Sequence, residues 1–240
     1  MSLRSCGIRY RQRMPNERRP RPPDHGADLA GERAEVLAAF NVSRETAARL
    51  DWFVALLLRW QQKINLIGSS TVSSLWSRHI ADSLQLLSLE PTGPKPPIWV
   101  DLGSGAGFPG LVIACALADV EGAQVHLIES NAKKASFLRE AIRETDAPAT
   151  VHAGRIEELG PRLAPVADVV TARALAPLPE LLALTEPFLT NGAQALLLKG
   201  QDVDAELTEA AKYWNIEADI VPSRTSAKGR ILIVRGLSRR

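Results

Sequence analysis

From residue 98 onward, short apolar runs alternate with stretches of helical periodicity, and this alternation constrains the fold more than any other feature of the chain. Runs of that length predict β-strands when turn residues and amphipathic stretches separate them. The predicted strands are 98–102, 124–128, 150–152, 168–171, 193–198, 217–221 and 230–234. Strands that alternate with helices are typical of βαβ units, in which each helix brings the next strand parallel to the last. The pattern predicts an α/β fold with a mostly parallel sheet over residues 98–236.

The residues before this sheet domain show helical periodicity instead. Residues 28–64 predict two helices, and Ser43 is placed to cap the second of them. A third helix, capped by Ser70, is predicted for residues 72–89, and a linker rich in Pro and Gly follows it. We therefore expect an N-terminal helical extension over residues 27–92.

A basic segment precedes the helices. Residues 1–24 contain seven arginines and two acidic side chains, whereas the 240-residue chain has a net charge of +2, so the remainder carries −3. Four prolines in this segment disfavour regular structure, and we predict a disordered basic tail over residues 1–26. Three interpretations stay open: an arm that holds nucleic acid, a targeting peptide that lacks the usual apolar region, or an upstream extension with Met14 as the true start.

Composition argues against several classes of protein. No apolar run reaches the roughly 18 residues that a membrane span requires, so we predict no membrane contact. The two cysteines, Cys6 and Cys115, have no spacing typical of a metal site or a disulfide framework. We therefore expect no metal and a cytoplasmic location.

A glycine-rich turn follows the first predicted strand, with the sequence Asp-Leu-Gly-Ser-Gly-Ala-Gly-Phe-Pro-Gly from Asp101 to Gly110. Glycines allow a backbone to approach a ligand closely, and the helix that follows presents its N-terminus to electron-rich groups. The carboxyl end of the first strand is also the usual ligand crevice of open α/β sheets. We therefore expect a nucleotide-like cofactor at this turn.

Two cofactors fit this turn. The spacing Gly105-x-Gly107-x-x-Gly110 matches the dinucleotide fingerprint, which keeps a nicotinamide-dependent oxidoreductase as an alternative. S-adenosylmethionine is favoured, because an acid at Asp101 can hydrogen-bond the amino group of that cofactor but would repel a pyrophosphate. Glu129, which closes the second strand, could hold ribose hydroxyls of either cofactor.

Further motifs lie on both sides of the turn. Arg-His-Ile-Ala-Asp-Ser-Leu occupies residues 78–84, Glu-Ser-Asn-Ala-Lys-Lys residues 129–134, Thr-Ala-Arg-Ala residues 171–174, and Leu-Lys-Gly residues 198–200. With these motifs the chain resembles, over about residues 50–234, the bacterial 16S ribosomal RNA guanine-N7 methyltransferase G family, also called the glucose-inhibited division protein B family.

The resemblance implies a Rossmann-like S-adenosylmethionine-dependent methyltransferase sheet with an N-terminal helical extension. It implies methylation of guanine N7 in 16S ribosomal RNA, with either the free RNA or the small ribosomal subunit as the partner. A non-enzymatic RNA-binding assembly factor with the same fold is the remaining alternative.

The resemblance also implies site residues. By resemblance, the expected cofactor contacts include Gly103, Phe108, Ile156, Glu157 and Arg173. They join those already expected from the turn and the second strand, which are Asp101, Gly105, Gly107 and Glu129. The candidate substrate-site residues are His79, Asp82, Ser83 and Lys199. Judged by residue type alone, His79 and the two residues Asp82 and Ser83 suit structural roles on a helix, such as bonds to the helix backbone.

Guanine N7 carries a free lone pair in the neutral base, so the resemblance implies alignment of the reactants and no catalytic base. The candidate phosphate contacts are Arg78, Arg173, Lys199, Lys228 and Arg230. We interpret the pair Lys133-Lys134 as a solvated helix face.

Overall fold

Seven strands form one sheet at the centre of the computed structural model, which describes residues 27–240. They are β1 Ile98–Leu102, β2 Gln124–Glu129, β3 Ala149–Ala153, β4 Val169–Arg173, β5 Gln194–Lys199, β6 Trp214–Pro222 and β7 Arg230–Arg239. Their spatial order is β3-β2-β1-β4-β5-β7-β6, in which the first five strands pair in parallel and β7 is antiparallel to both its neighbours. The predicted α/β fold with a mostly parallel sheet is confirmed.

Helices cover both faces of the sheet. The α-helices of the described chain are α1 Ala27–Ala39, α2 Arg44–Gln61, α3 Asp82–Leu84, α4 Gly110–Ala116, α5 Ala132–Thr145, α6 Ile156–Leu163, α7 Leu178–Thr190 and α8 Val203–Ala210. A short 3-10 helix, Ala164–Val166, follows α6. Ser43 caps α2 as predicted, because its hydroxyl accepts a hydrogen bond from the amide of Thr46 at 3.1 Å. Within residues 27–240 no helix combines the length and the apolar character needed to cross a membrane.

The third predicted helix is irregular. It consists of a 3-10 helix Ser69–Ser74, a π-helix Trp76–Ala81, the single turn α3, and a 3-10 helix Gln85–Leu89. Ser70 does not cap it, since Gly68 precedes the first turn without a side-chain cap. Hydroxyl side chains compete with the helical bonds here: Thr71 Oγ1 donates to the carbonyl of Gly68 at 2.7 Å. We refer to residues 69–89 as the upstream segment.

The helical extension packs directly on the sheet. Phe53 of α2 is fully buried, and its ring centroid lies 5.3 Å from that of Phe108 and 6.2 Å from that of Phe137 on α5. Trp76 of the upstream segment belongs to the same hydrophobic cluster. Burial of a side chain such as Phe53 contributes about 1.5–3 kcal/mol to folding. This packing fixes the upstream segment beside the carboxyl ends of the strands.

The predicted tail, residues 1–26, lies outside the described residues.

Candidate active site

A cleft of about 910 Å³ opens at the carboxyl ends of the parallel strands. Three parts of the chain line it: the upstream segment, the glycine turn after β1, and the loop between β6 and β7. The last residues of β4 and β5, Arg173 and Lys199, complete its wall. Its position is the ligand crevice expected for an open α/β sheet.

Three glycines give the turn its shape, with positive φ angles of 64° at Gly103, 55° at Gly105 and 90° at Gly107. A Cβ atom at Gly103 would lie 2.6 Å from Leu175 Cδ1, and one at Gly107 would lie 2.9 Å from Leu111 Cβ. At Gly105 the nearest atom would be 3.7 Å away. Packing therefore requires glycine at two positions, whereas Gly105 faces open space at the cleft wall.

Asp101 supports this turn through hydrogen bonds on its buried side. Its side chain is enclosed, with one oxygen accepting a hydrogen bond from Thr171 Oγ1 at 2.8 Å and the other from the amide of Gly110 at 3.3 Å. Burial raises the pKa of this carboxyl to about 6, against the opposing effect of its hydrogen bonds. The sequence interpretation assigned Asp101 to the amino group of the cofactor. In the structure its carboxylate is buried and holds the turn through these two hydrogen bonds, and the contact with the cofactor stays a prediction.

Glu129 links the turn to the neighbouring strand. One of its carboxylate oxygens accepts from the amide of Gly105 at 2.8 Å, and the other accepts from the amide of Asn131 at 2.7 Å. Each oxygen keeps a second lone pair, so the side chain can still accept from ribose hydroxyls. Ile156 and Glu157 begin α6 beyond β3, where Ile156 is half-buried and Glu157 is exposed. These three residues lie on the β2–β3 side of the turn, outside the lining of the 910 Å³ cleft.

Glu129→Ala should weaken binding of S-adenosylmethionine by about ten- to a hundredfold, because a charged acceptor contributes about 1.5–3 kcal/mol and its loss also frees the amide of Gly105. Calorimetric titration of the purified protein measures this affinity. Glu121→Ala is a matched control, since Glu121 is an exposed acid on the turn before β2, at the opposite edge of the sheet. An unchanged dissociation constant in Glu129→Ala would remove Glu129 from the cofactor site.

An aromatic and cationic stack forms one wall of the cleft. The ring of His79 stacks on Phe108 with centroids 4.9 Å apart, and the guanidinium of Arg173 lies 5.0 Å from the centroid of Phe108. Arg173 also donates a hydrogen bond to the backbone carbonyl of Arg78 at 3.2 Å. Among residues 27–240 this is the one hydrogen bond of the guanidinium, so several of its N–H groups are available to a ligand.

His79 is neutral at physiological pH. Burial lowers its pKa to about 3, and the positive charges of Arg173 and Arg78 act in the same direction. Its Nε2 atom lies 2.9 Å from Thr71 Oγ1, while its buried Nδ1 atom has no hydrogen-bond partner among residues 27–240. A buried polar atom without a partner is costly, and this one lies in a residue of the cleft wall.

Ser83 and Asp82, the two remaining candidates of the upstream segment, lie in different surroundings. Ser83 is fully buried, and its hydroxyl donates to the carbonyl of His79 at 2.7 Å. This bond is the backbone role that residue type alone suggests, and Ser83 does not line the cleft, so its place in the substrate site stays a prediction without a direct contact to support it. Asp82 does line the cleft and contacts the β6–β7 loop.

Positive charge is concentrated around the cleft. Six cationic side chains line it against two carboxylates, although the described residues together carry a net charge of −3. The cations are Arg78, Lys134, Arg173, Lys199, Lys228 and Arg230, and the carboxylates are Asp82 and Glu206. Lys199 pairs with Glu206 at 2.5 Å. All five candidate phosphate contacts therefore lie on one cleft, where they raise the local concentration of anions.

Sequence reasoning missed Lys134, which it placed on a solvated helix face with Lys133. Lys134 is half-buried in the first turn of α5 and lines the cleft, whereas Lys133 is exposed. The signal that could have identified it is position, because α5 starts directly after the carboxyl end of β2. Hydroxyl groups of the upstream segment were also missed, among them Thr71, Ser74 and Ser77.

Comparison with known proteins gives a consistent result. A family model described as rRNA small subunit methyltransferase G (GidB) matches residues 46–233. A protein named ribosomal RNA small subunit methyltransferase G from Nitrobacter hamburgensis is 58% identical over 211 residues, which cover 88% of this chain and 80% of that protein. A protein of the same name from Bradyrhizobium sp. strain ORS 278 is 55% identical over 213 residues, covering 89% of this chain and 95% of the relative.

A solved structure shares the fold. The crystal structure of M. jannaschii TYW2 in complex with AdoMet superposes with a TM-score of 0.50 and 13% identity, over 75% of this chain and 80% of that one. The fold and the sequence relatives confirm the family resemblance seen in the motifs. The chain belongs to the rRNA small subunit methyltransferase G family, GidB.

Proposed function

We propose that this protein transfers the methyl group of S-adenosylmethionine to N7 of a guanine in 16S ribosomal RNA, as free RNA or within the small ribosomal subunit. One observation carries the proposal: a single cleft contains both the open glycine turn and a wall of six cationic side chains. The name shared by the relatives supports a small-subunit RNA substrate. Family membership favours this function over a nicotinamide-dependent oxidoreductase and over a non-enzymatic assembly factor. Such a substrate places the protein in the cytoplasm.

The residues of the cleft, together with Glu129 on the neighbouring side of the glycine turn, fit the cofactor. The open side of Gly105 is a space that any side chain would fill, and Glu129 keeps acceptors for ribose hydroxyls. Arg173 and the Nδ1 atom of His79 supply polar groups with unused hydrogen-bonding capacity among the described residues. When bound there, S-adenosylmethionine supplies an electrophilic methyl group on a sulfonium. Across residues 27–240, no cluster of three or more His, Cys, Asp or Glu side chains is arranged to hold a metal ion.

The cationic wall fits an RNA backbone. Neutralisation of phosphates by Lys and Arg supplies most of the sequence-independent affinity for nucleic acid. Guanine N7 lies on the Hoogsteen edge, which side chains cannot reach in the deep groove of an A-form helix. The substrate guanine should therefore lie in a single-stranded or opened region of the RNA.

The reaction requires the protein mainly to align the guanine with the methyl group. The N7 lone pair is free in neutral guanine, so no proton has to be removed before it attacks the methyl group. Orientation alone can supply a large part of such a barrier reduction, with effective molarities of about 10⁵–10⁸ M. His79 suits this role, since a neutral imidazole held between Thr71 and Phe108 supports the cleft wall without adding positive charge to it.

Mapping of the methyl group tests the proposal. Small ribosomal subunits and free 16S ribosomal RNA are incubated with the protein and radiolabelled S-adenosylmethionine, and the RNA is then treated with borohydride and aniline, which cleave at N7-methylguanosine. We expect labelled RNA with cleavage at a single guanine. Labelled RNA without cleavage would place the methyl group on another atom. Calorimetric titration with NADH is the companion measurement, and binding of NADH in place of S-adenosylmethionine would favour the oxidoreductase.

A further inference from the structure

A carboxylate of the upstream segment fastens a distant loop. We call residues 223–229 the β6–β7 loop. Asp82 Oδ1 accepts hydrogen bonds from Thr225 Oγ1 and, at 3.4 Å, from Ser223 Oγ of this loop. The same oxygen accepts from Gln85 Nε2 at 2.8 Å, one turn further along the upstream segment. Asp82 therefore joins two parts of the chain that lie about 140 residues apart in sequence.

Gln85 extends the connection to the loop backbone. Its Oε1 atom accepts from the amide of Arg224 at 2.9 Å, and its Nε2 atom donates to Ser223 Oγ at 3.2 Å. Gln85 is 2% exposed, so these bonds are shielded from water. The guanidinium of Arg224 lies 4.6 Å from the ring centroid of Phe40, just beyond α1. The helical extension thus holds the loop at its side chains and at its main chain.

The loop itself forms part of the cleft wall, together with the first residue of β7. Lys228 and Arg230 both line the cleft. Arg230, the first residue of β7, braces the loop, because its Nη1 atom donates to the carbonyls of Ala227 and Gly229 at 3.0 and 2.8 Å, which commits part of its guanidinium. Lys228 is exposed, and the structure of residues 27–240 gives its ammonium no ion pair or hydrogen bond. Lys228 is therefore the cation of this loop that is available to a ligand.

We propose that Asp82 and Gln85 are positioning residues, which hold the β6–β7 loop so that Lys228 meets a phosphate of the RNA substrate. This role rests on the proposed function, and within it Asp82 and Gln85 position the loop while Lys228 contacts the phosphate. Asp82 acts on RNA through the loop and does not contact the cofactor. A lysine on a loop that is ordered before binding loses less conformational entropy when it engages a phosphate. The hydrogen bonds of Asp82 and Gln85 supply that order.

A double-mutant cycle tests the proposal. The wild type, Asp82→Ala, Lys228→Ala and the double variant are titrated with a 16S ribosomal RNA transcript at several salt concentrations. We expect each single variant to bind about threefold to fivefold more weakly, as for one exposed ion pair, and to lower the salt slope by about 0.7. The double variant should equal either single variant, because both changes remove the same phosphate contact. The dissociation constant for S-adenosylmethionine should stay unchanged in all four proteins.

Lys134 supplies the matched control. It lines the same cleft from α5, with no hydrogen bond to the β6–β7 loop, so the effects of Lys134→Ala and Asp82→Ala should multiply. Multiplied effects of Asp82→Ala and Lys228→Ala would overturn the proposal, as would an unchanged salt slope in Asp82→Ala. A wild type that methylates no ribosomal RNA would instead count against the proposed function, so the two failures are distinguishable.

Two further variants separate loop positioning from a charge effect and from misfolding. Asp82→Asn keeps an acceptor oxygen for Thr225, so it should restore most of the RNA affinity. If it behaved like Asp82→Ala, the carboxylate charge near Arg173 would be the cause and the proposal would fail. Gln85→Ala should speed hydrogen exchange at the amide of Arg224 and fail to add to Lys228→Ala, which keeps the test intact if Asp82→Ala does not fold.

Discussion

Replacement of Gly105 by valine should reduce the affinity for S-adenosylmethionine by at least about a hundredfold while the protein stays folded. The backbone at Gly105 has a φ angle of 55°, in the left-handed region that β-branched residues rarely adopt. A side chain there would project into the open space beside the turn, where a ligand must approach the backbone. Calorimetry measures the affinity, and circular dichroism checks the fold.

Gly192→Val is a control that distinguishes the effect of backbone strain from the effect of a side chain that blocks the cofactor site. Gly192 has a φ angle of 88°, and a Cβ atom there would have no neighbour within 4 Å. It lies in the turn before β5, at the edge of the sheet opposite the cleft. The control variant should lose stability to a similar degree and still bind the cofactor. Micromolar binding by a natively folded Gly105→Val protein would contradict the placement of the cofactor at this turn.

The strands of the sheet could be predicted because each one appears in the sequence as a short apolar run. The bounds predicted for β1, residues 98–102, are those of the structure, since an apolar run between a proline and a glycine has few other ways to pack. The antiparallel strands β6 and β7 extend further than predicted, to Trp214 at one end and Arg239 at the other. Their added ends carry the apolar residues Trp214, Ile216 and Leu237 between polar ones, and they pair with each other beyond a register shift between Glu217 and Ala218. These apolar residues are spaced singly, so they form no continuous run that would have predicted a strand.

The upstream segment shows where periodicity misleads. Apolar spacing from Val72 to Leu89 indicated one α-helix, and the burial of Leu75, Trp76 and Leu86 follows that spacing. The hydroxyl-rich start instead forms a 3-10 helix, and a π-helix carries Arg78 and His79. Non-standard turns of this kind are frequent at functional sites. The apolar pattern fixes which face is buried, while the exact hydrogen-bond ladder depends on competition from side chains.

The candidate site likewise has some features that the sequence predicts and others that it does not. The place of the glycine turn on the cleft wall was predictable, because a strand end followed by glycines specifies where backbone can approach a ligand, whereas the cofactor contact of Glu129 stays a prediction. The enclosure of Asp101 and the pairing of Lys199 with Glu206 depend on tertiary packing, so residue type and spacing could not indicate them. The same holds for Asp82, whose partners lie in a loop about 140 residues away.

Methyl transfer measured in a single turnover should keep a constant rate between about pH 7 and 9. Attack by the N7 lone pair needs no deprotonation, whereas attack by N1 or a 2′-hydroxyl would make the rate rise about tenfold per pH unit below the pKa of its base. His79 cannot cause such a rise of the rate between pH 7 and 9, because burial lowers its pKa to about 3 and the imidazole stays neutral throughout this range. The lower bound is set by Asp101, since burial raises its pKa to about 6 and its protonation below that pH removes the negative charge that holds the amide of Gly110.

His79→Ala provides the decisive comparison. Loss of the stack on Phe108 and of the contact with Thr71 should lower the rate by about ten- to a hundredfold, since a displacement of about 1 Å can cost that much in a reaction that depends on alignment. The loss should be the same at every pH between about 7 and 9, and any decline below pH 6 should appear in the wild type and the variant alike, because Asp101 causes it. A wild-type rate that climbs with pH in this range, and a His79→Ala profile in which the climb is gone, would establish general-base catalysis by His79. That result would contradict attack by an unassisted N7 lone pair, and it would move the methyl group to an atom that must first lose a proton.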